Sequence, residues 1–169
     1  MLNFLYFSIM TPSAKDILWK GIIEDLFADF LRFFYTEADE IFDMNRGFEF
    51  LEKELGELYP GQDISHPVFV DKLVKVYRKD GKEEWLLIHI EVQGYMDYWF
   101  TRRMFTYFYR ILDRFDREVA SIAIFTDTYQ NYQPDKYEYN CLGTSNIFRF
   151  KTYKIKGQNA KDLENSNNP

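Results

Sequence analysis

The stretch Val70–Gly94 leaves this chain little freedom in how its centre folds. Leu73, Val74 and Val76 supply a β-rich run, Lys79-Asp80-Gly81-Lys82 a turn, and Trp85-Leu86-Leu87-Ile88-His89-Ile90 a nearly continuous apolar run. Asp-Gly between such runs is a strong hairpin signal, because glycine takes the positive φ that tight hairpin turns need. The stretch therefore reads as two strands, with Glu91 and Gln93 closing the second. Side chains alternate with period two along a strand, so residues 89, 91 and 93 share a face. Three polar side chains, Asp71, Glu91 and Gln93, stand where a buried strand is otherwise apolar.

Burying a carboxylate without a partner costs several kcal/mol, so Glu91 needs compensation. One solution is a divalent cation, since Mg2+ binds through one or two protein carboxylates and fills the rest of its shell with water or phosphate oxygens. Asp71 and Glu91, on paired strands, suit that role if their carboxylates lie close enough to share one ion. The other solution is local: an ion pair with Lys72 or Lys75, or exposure on a sheet edge. Two acids held that close repel one another, so alanine at either position is expected to leave metal-free stability unchanged or raised.

Downstream, residues 97–117 carry the clearest helical period of the chain. Phe100, Met104, Phe108, Ile111, Leu112 and Phe115 form one apolar stripe, and Arg103, Arg110, Arg114 and Arg117 cluster on a separate face. Guanidinium forks bind phosphate through paired hydrogen bonds, so this face reads as a phosphate-binding ridge or as a basic face pairing with Asp113, Asp116 and the acidic helices upstream. Arg103, nearest in sequence to Glu91, is the first candidate for substrate contact. Val119–Phe125 reads as a further core strand, and strand, helix, strand in that order implies a parallel pair. Asp127 reads as a turn cap at its end. Tyr129–Tyr139 is loop-like, and Ile147–Ile155 reads as one more strand. Before the hairpin, residues 15–35 have the period of an amphipathic helix and Phe48–Leu58 that of a second, acidic one.

Charge is segregated along the chain. Residues 24–63 hold twelve acids and three bases, a net −9, which leaves +3 for the remainder of a total of −6. Overall acidity argues against nucleic acid, but a basic remainder removes that objection. A single cysteine, Cys141, excludes an internal disulfide and fits a reducing compartment, so the expected location is cytoplasmic. Two histidines, His66 and His89, give no Cys/His zinc set. The apolar start Met1–Met10 is too short to span a bilayer and lacks the basic beginning of a signal peptide, so no membrane partner is expected and residues 1–10 read as an extension.

Several blocks in order resemble the Rpn family of recombination-promoting nucleases and putative transposases, within the PD-(D/E)XK nuclease superfamily. They are Phe48-Glu49-Phe50-Leu51-Glu52-Lys53-Glu54-Leu55, Asp71-Lys72-Leu73-Val74-Lys75-Val76, Leu86 through Gly94, and Arg103 through Arg110, spread over residues 15–155. The resemblance implies an α/β fold similar to restriction endonucleases, with a mixed sheet flanked by helices and an αβββαβ core. Residues 11–157 would form that nuclease-like domain, with 158–169 a disordered, truncated tail. Only two strands before the main helix are evident in the sequence, with 64–69 a candidate addition to the first.

The function implied is a metal-dependent endonuclease acting on DNA in recombination or transposition, with Mg2+ or Mn2+ as cofactor and DNA as partner; homodimerisation is a further expectation. Asp71 and Glu91 would be metal ligands and, with Gln93, catalytic. Arg103, Lys72 and Arg110 would bind substrate, and Glu54 and His89 would support the metal ligands from behind. Of the early acids Glu24, Asp25 and Glu54, the last lies in a matching block. Gln93 stands where the superfamily usually has lysine: glutamine orients water by hydrogen bonding but brings no charge to a developing phosphorane. A nuclease fold kept as a DNA-binding or protein-interaction module, and a shortened mobile-element remnant, remain open from the residues alone.

Overall fold

The computed structural model of the chain describes residues 21–58, 70–79 and 84–155. The expected extension 1–10, the segment 64–69, the turn tip 80–82 and the tail 158–169 lie outside them. Helical residues 21–25 pass through a turn at Leu26 into α1 (Phe27–Phe34), followed by α2 (Ala38–Ile41), β1 (Phe48–Phe50), α3 (Glu52–Glu57), β2 (Val70–Tyr77), β3 (Trp85–Gln93), α4 (Phe100–Phe115), β4 (Val119–Phe125), β5 (Lys136–Cys141), β6 (Thr144–Arg149) and β7 (Lys151–Lys154).

The fold is mixed α/β. Five strands form one sheet in the order β1-β2-β3-β4-β7. The first three pair antiparallel, and β3, β4 and β7 run parallel. A short connection permits the antiparallel β2–β3 hairpin, whereas the parallel β3–β4 pair requires a crossover, supplied by α4. Both faces of the sheet are covered, which explains the near-continuous apolar text of β3. On one face Val74, Val76, Leu86, Ile88, Ile90, Val92, Ile122 and Ile124 pack against Ile23, Phe27 and Leu31. On the other, Leu73 and Leu87 meet Tyr107 and Ile111 of α4 and Leu55 of α3, while Ala123 and Phe125 meet Phe100 and Met104.

Four elements depart from the sequence reading. The Phe48–Leu58 helix is divided: Phe48–Phe50 pairs with Val74–Val76 as an edge strand, and only Glu52–Glu57 is helical. Phe48 and Phe50 alternate around exposed Glu49 and edge-pack on Phe27, so burial against α1 overrides the acidic helical text. This supplies the third strand ahead of the main helix. The loop-like Tyr129–Tyr139 contributes to β5, and the single strand expected at Ile147–Ile155 divides at Phe150 into β6 and β7. Finally, the buried stripe of α4 is Phe100, Met104, Tyr107 and Ile111, with Leu112 exposed. Among the described residues no helix is long and apolar enough to cross a membrane.

The β5–β6 hairpin closes through Leu142-Gly143, both at positive φ (47° and 87°), with Cys141 paired to Thr144. Both residues at positive φ is the signature of the two-residue turn that matches strand twist. Leucine is ill suited to this, and its side chain is fully exposed. Leu142→Asn should therefore stabilise the protein by about 1 kcal/mol, the lower end of what left-handed backbone costs a residue of this kind. A raised urea midpoint at unchanged m-value is the readout.

Candidate active site

The face of β3 that meets α4 becomes polar towards its carboxyl end: Leu87, His89, Glu91, Gln93, all buried. The opposite face, Leu86, Ile88, Ile90 and Val92, stays apolar throughout. The helix answers residue by residue in reverse order, with Ile111 near Leu87, Tyr107 against His89, and Arg103 on Glu91 and Gln93. This matching follows from geometry, because four helical residues rise about 6 Å and two strand residues about 6.6 Å. It also explains the displaced stripe of α4: the polar end of β3 turns Arg103 and Tyr107 inward.

Glu91 has no exposed surface. Its Oε1 accepts from Arg103 Nε at 2.9 Å and from Nη2 at 2.6 Å, and the same Nη2 donates to Gln93 Oε1 at 2.9 Å. Arg103 Nη1 pairs with Asp97. Burial opposes the Arg103 charge, but the carboxylates of Glu91 and Asp97 outweigh it and hold the guanidinium above its ordinary range. Gln93 Nε2 donates to the Tyr95 carbonyl at 2.6 Å, which fixes the amide with its oxygen towards Arg103.

The backbone register sets Asp71 directly opposite Glu91. That is the pairing a shared ion requires. Beyond Asp97 the cluster continues across the carboxyl ends of the parallel strands. Tyr132 Oη donates to the Asp97 carbonyl at 2.9 Å, Lys154 Nζ donates to the Tyr132 carbonyl at 3.1 Å, and Lys154 pairs with buried Asp127 at 2.7 Å. Burial pushes the Tyr132 phenol up to about 12, so it acts as a donor at neutral pH. Asp127 also caps a turn, its Oδ1 accepting from the Tyr129 amide at 2.9 Å. The carboxyl ends of parallel strands are where open α/β sheets usually bind ligands.

Asp97, Tyr132 and Lys154 were not singled out by sequence reasoning. Asp97 reads as the start of the helical stripe, while Tyr132 and Lys154 lie in aromatic, lysine-rich text without period. Only the sheet topology, which places β7 beside β4, brings them to Glu91.

Other candidates are placed differently. Lys72 lies on the opposite face of the sheet, paired through its register position with Ile90, and its buried ammonium pairs with Glu24 and Glu52. The early-helix acid Glu24 thus neutralises Lys72, with Glu52 rather than Glu54 beside it; Glu54 sits half-buried on α3. The arginines of α4 do not form one ridge. Arg110 donates to the Leu58 carbonyl that ends α3 at 2.9 Å, Arg114 pairs with Glu57 at 2.7 Å, and Arg117 lies 5.1 Å from the Trp85 ring centre. His89 shares the face of Glu91, but neither ring nitrogen has a hydrogen-bond partner among the described residues, and its ring packs 4.8 Å from that of Tyr107.

Among the described residues no three carboxylate, imidazole or thiol groups converge as a metal site. Among the described side chains of the cluster, the three acids Glu91, Asp97 and Asp127 outnumber Arg103 and Lys154 by one. A groove of about 490 Å3 opens elsewhere, between α4 and the β6–β7 segment. Its walls include Phe105, Phe108, Phe148, Arg149 and Lys151 and no carboxylate.

No family model, curated protein or solved structure matches this chain. A functional reading therefore stands on the sequence blocks and on this geometry.

Proposed function

We propose that this chain is a metal-dependent endonuclease that hydrolyses DNA phosphodiesters, of the restriction-endonuclease-like, Rpn-type class that its sequence resembles, with Mg2+ or Mn2+ held by Asp71 and Glu91. The observation that carries the reading is the register of Asp71 opposite a fully buried Glu91, two residues from Gln93, at the carboxyl edge of the sheet. Three strands of the main sheet precede α4 and two follow it, with α3 between the first two. A divalent cation at such carboxylates supplies polarisation of the phosphate and acidification of water. The chain supplies the rest. Gln93, its amide fixed by Tyr95 and Arg103, orients a nucleophilic water, and Arg103 pairs with Glu91 until substrate and ion arrive.

Plasmid nicking with Mg2+, Mn2+ or EDTA tests the proposal. Nicking should require the metal and disappear in Glu91→Gln, a variant that keeps a hydrogen bond to Arg103. Strand breaks that persist in Glu91→Gln would sink it. One observation favours a second reading: Arg103 already neutralises Glu91 without any ion. A non-catalytic binding module built on this cluster predicts DNA retention unaffected by EDTA, and no breaks under any condition.

A further inference from the structure

The loop between β3 and α4 carries large apolar side chains that the fold leaves in solvent. Met96, Tyr98 and Trp99 are 58%, 87% and 60% exposed. Their backbone is nevertheless tied down. Tyr132 Oη bonds both the amide and the carbonyl of Asp97, at 3.0 and 2.9 Å, and Arg103 holds the Asp97 side chain, whose Oδ1 accepts from the Trp99 amide at 2.8 Å. The aromatic rings are thus presented from a rigid mount that is itself part of the Glu91 cluster. Tyr98 and Trp99 stand perpendicular, with centroids 5.1 Å apart, and the exposed Arg102 places its guanidinium carbon 5.9 Å from the Trp99 ring.

We infer that Trp99, flanked by the Tyr98 ring and by Arg102, offers a stacking face for an unpaired nucleobase, so that the substrate is DNA that is single-stranded or locally opened beside the carboxylates. This rests on the endonuclease reading above. Every base offers a π-face, and aromatic stacking beside a cation is how single strands are held without sequence readout. Three side chains fall well short of the roughly 800 Å2 a side of a stable protein interface, which argues against a second copy as the occupant. Arg102, unlike Arg103, points its charge outward, where a phosphate next to the stacked base can meet it.

Fluorescence anisotropy of labelled oligothymidylate and of a blunt duplex, titrated with the full chain in Ca2+, tests the assignment. The single strand should bind more tightly than the duplex. Trp99→Ala should weaken single-strand binding by about 10-fold, within the range of base–aromatic stacking. Trp99→Phe should retain most of the affinity. Arg102→Gln should flatten the slope of log affinity against log salt by about one. Unchanged oligothymidylate affinity in Trp99→Ala overturns the platform, as does sedimentation showing that Trp99→Ala converts a dimer to a monomer with DNA binding intact. Metal-dependent nicking with a Trp99-independent affinity sinks the platform alone. Trp99-dependent binding without nicking under any metal sinks the endonuclease reading and leaves a single-strand binding site.

Discussion

Arg103→Met should lower the free energy of unfolding by about 3–5 kcal/mol, the cost of leaving a buried charge without its partner. Glu91 is fully buried, and Arg103 meets it through two guanidinium nitrogens while also holding Gln93 and Asp97. Methionine keeps much of the volume of the stem, so the loss reports the charge and not a cavity. Arg103→Lys should fall between the two, since lysine restores the charge without the fork. The double variant Arg103→Met, Glu91→Leu should recover most of the loss, because removing both members of a buried pair is far cheaper than removing one. Urea unfolding at neutral pH measures all three. A loss under about 1 kcal/mol for Arg103→Met would place the pair with ordinary surface ion pairs. Guanidinium and cation compete for the same carboxylate, so Mg2+ should raise the melting midpoint of Arg103→Met more than that of the parent.

The same pairing reverses one expectation drawn from the residues. Two acids in register were expected to repel, so that alanine at either would leave stability unchanged or raise it. Among the described residues Glu91 is paired with the guanidinium of Arg103 at 2.6 Å, so replacing Glu91 by alanine deletes an attraction. Sequence periodicity identified α4 and marked Arg103 as a substrate contact on a face separate from the apolar stripe, whereas the structure turns it inward onto Glu91 and Gln93. An apolar-stripe reading counts only hydrophobic residues, whereas this helix buries a cation and a phenol against a strand whose carboxyl end is polar.

What was legible follows from local rules. The hairpin, the strand Val119–Phe125 and the parallel β3–β4 pair are set by apolar runs, turn chemistry and the need for a crossover. The register of Asp71 against Glu91 could be anticipated because a slip of one residue would turn the Val74 and Val76 face out of the core. Non-local causes were not legible. The edge strand at Phe48–Phe50 exists because Phe27 is there to pack on, Lys72 is buried because Glu24 and Glu52 converge from distant positions, and Tyr132 reaches Asp97 only through the sheet order.

His89 should make the fold acid-sensitive over a defined window. Burial, with Arg103 adding to it, pushes its imidazole down to about 3 from an ordinary 6.5. The groups around it give a proton no welcome: Arg103 is cationic, Tyr107 covers the ring, Leu73 lies across on β2, and Ser121 is its register partner on β4. The folded state therefore keeps His89 neutral while the unfolded chain takes up a proton as pH falls below about 6.5, so stability is present above that value and is lost on acidification until about pH 3. The slope approaches 1.4 kcal/mol per pH unit, giving a loss of about 2 kcal/mol between pH 7 and pH 5, above the range where most carboxylates titrate. His89→Leu should lack this component. At pH 7 it should be no less stable than the parent, because a ring that makes no hydrogen bond among the described residues is replaced by a side chain that wants none. Urea unfolding of both proteins in EDTA at pH 7 and pH 5 decides the matter: parallel losses in the two would mean that His89 is not the acid-sensitive group.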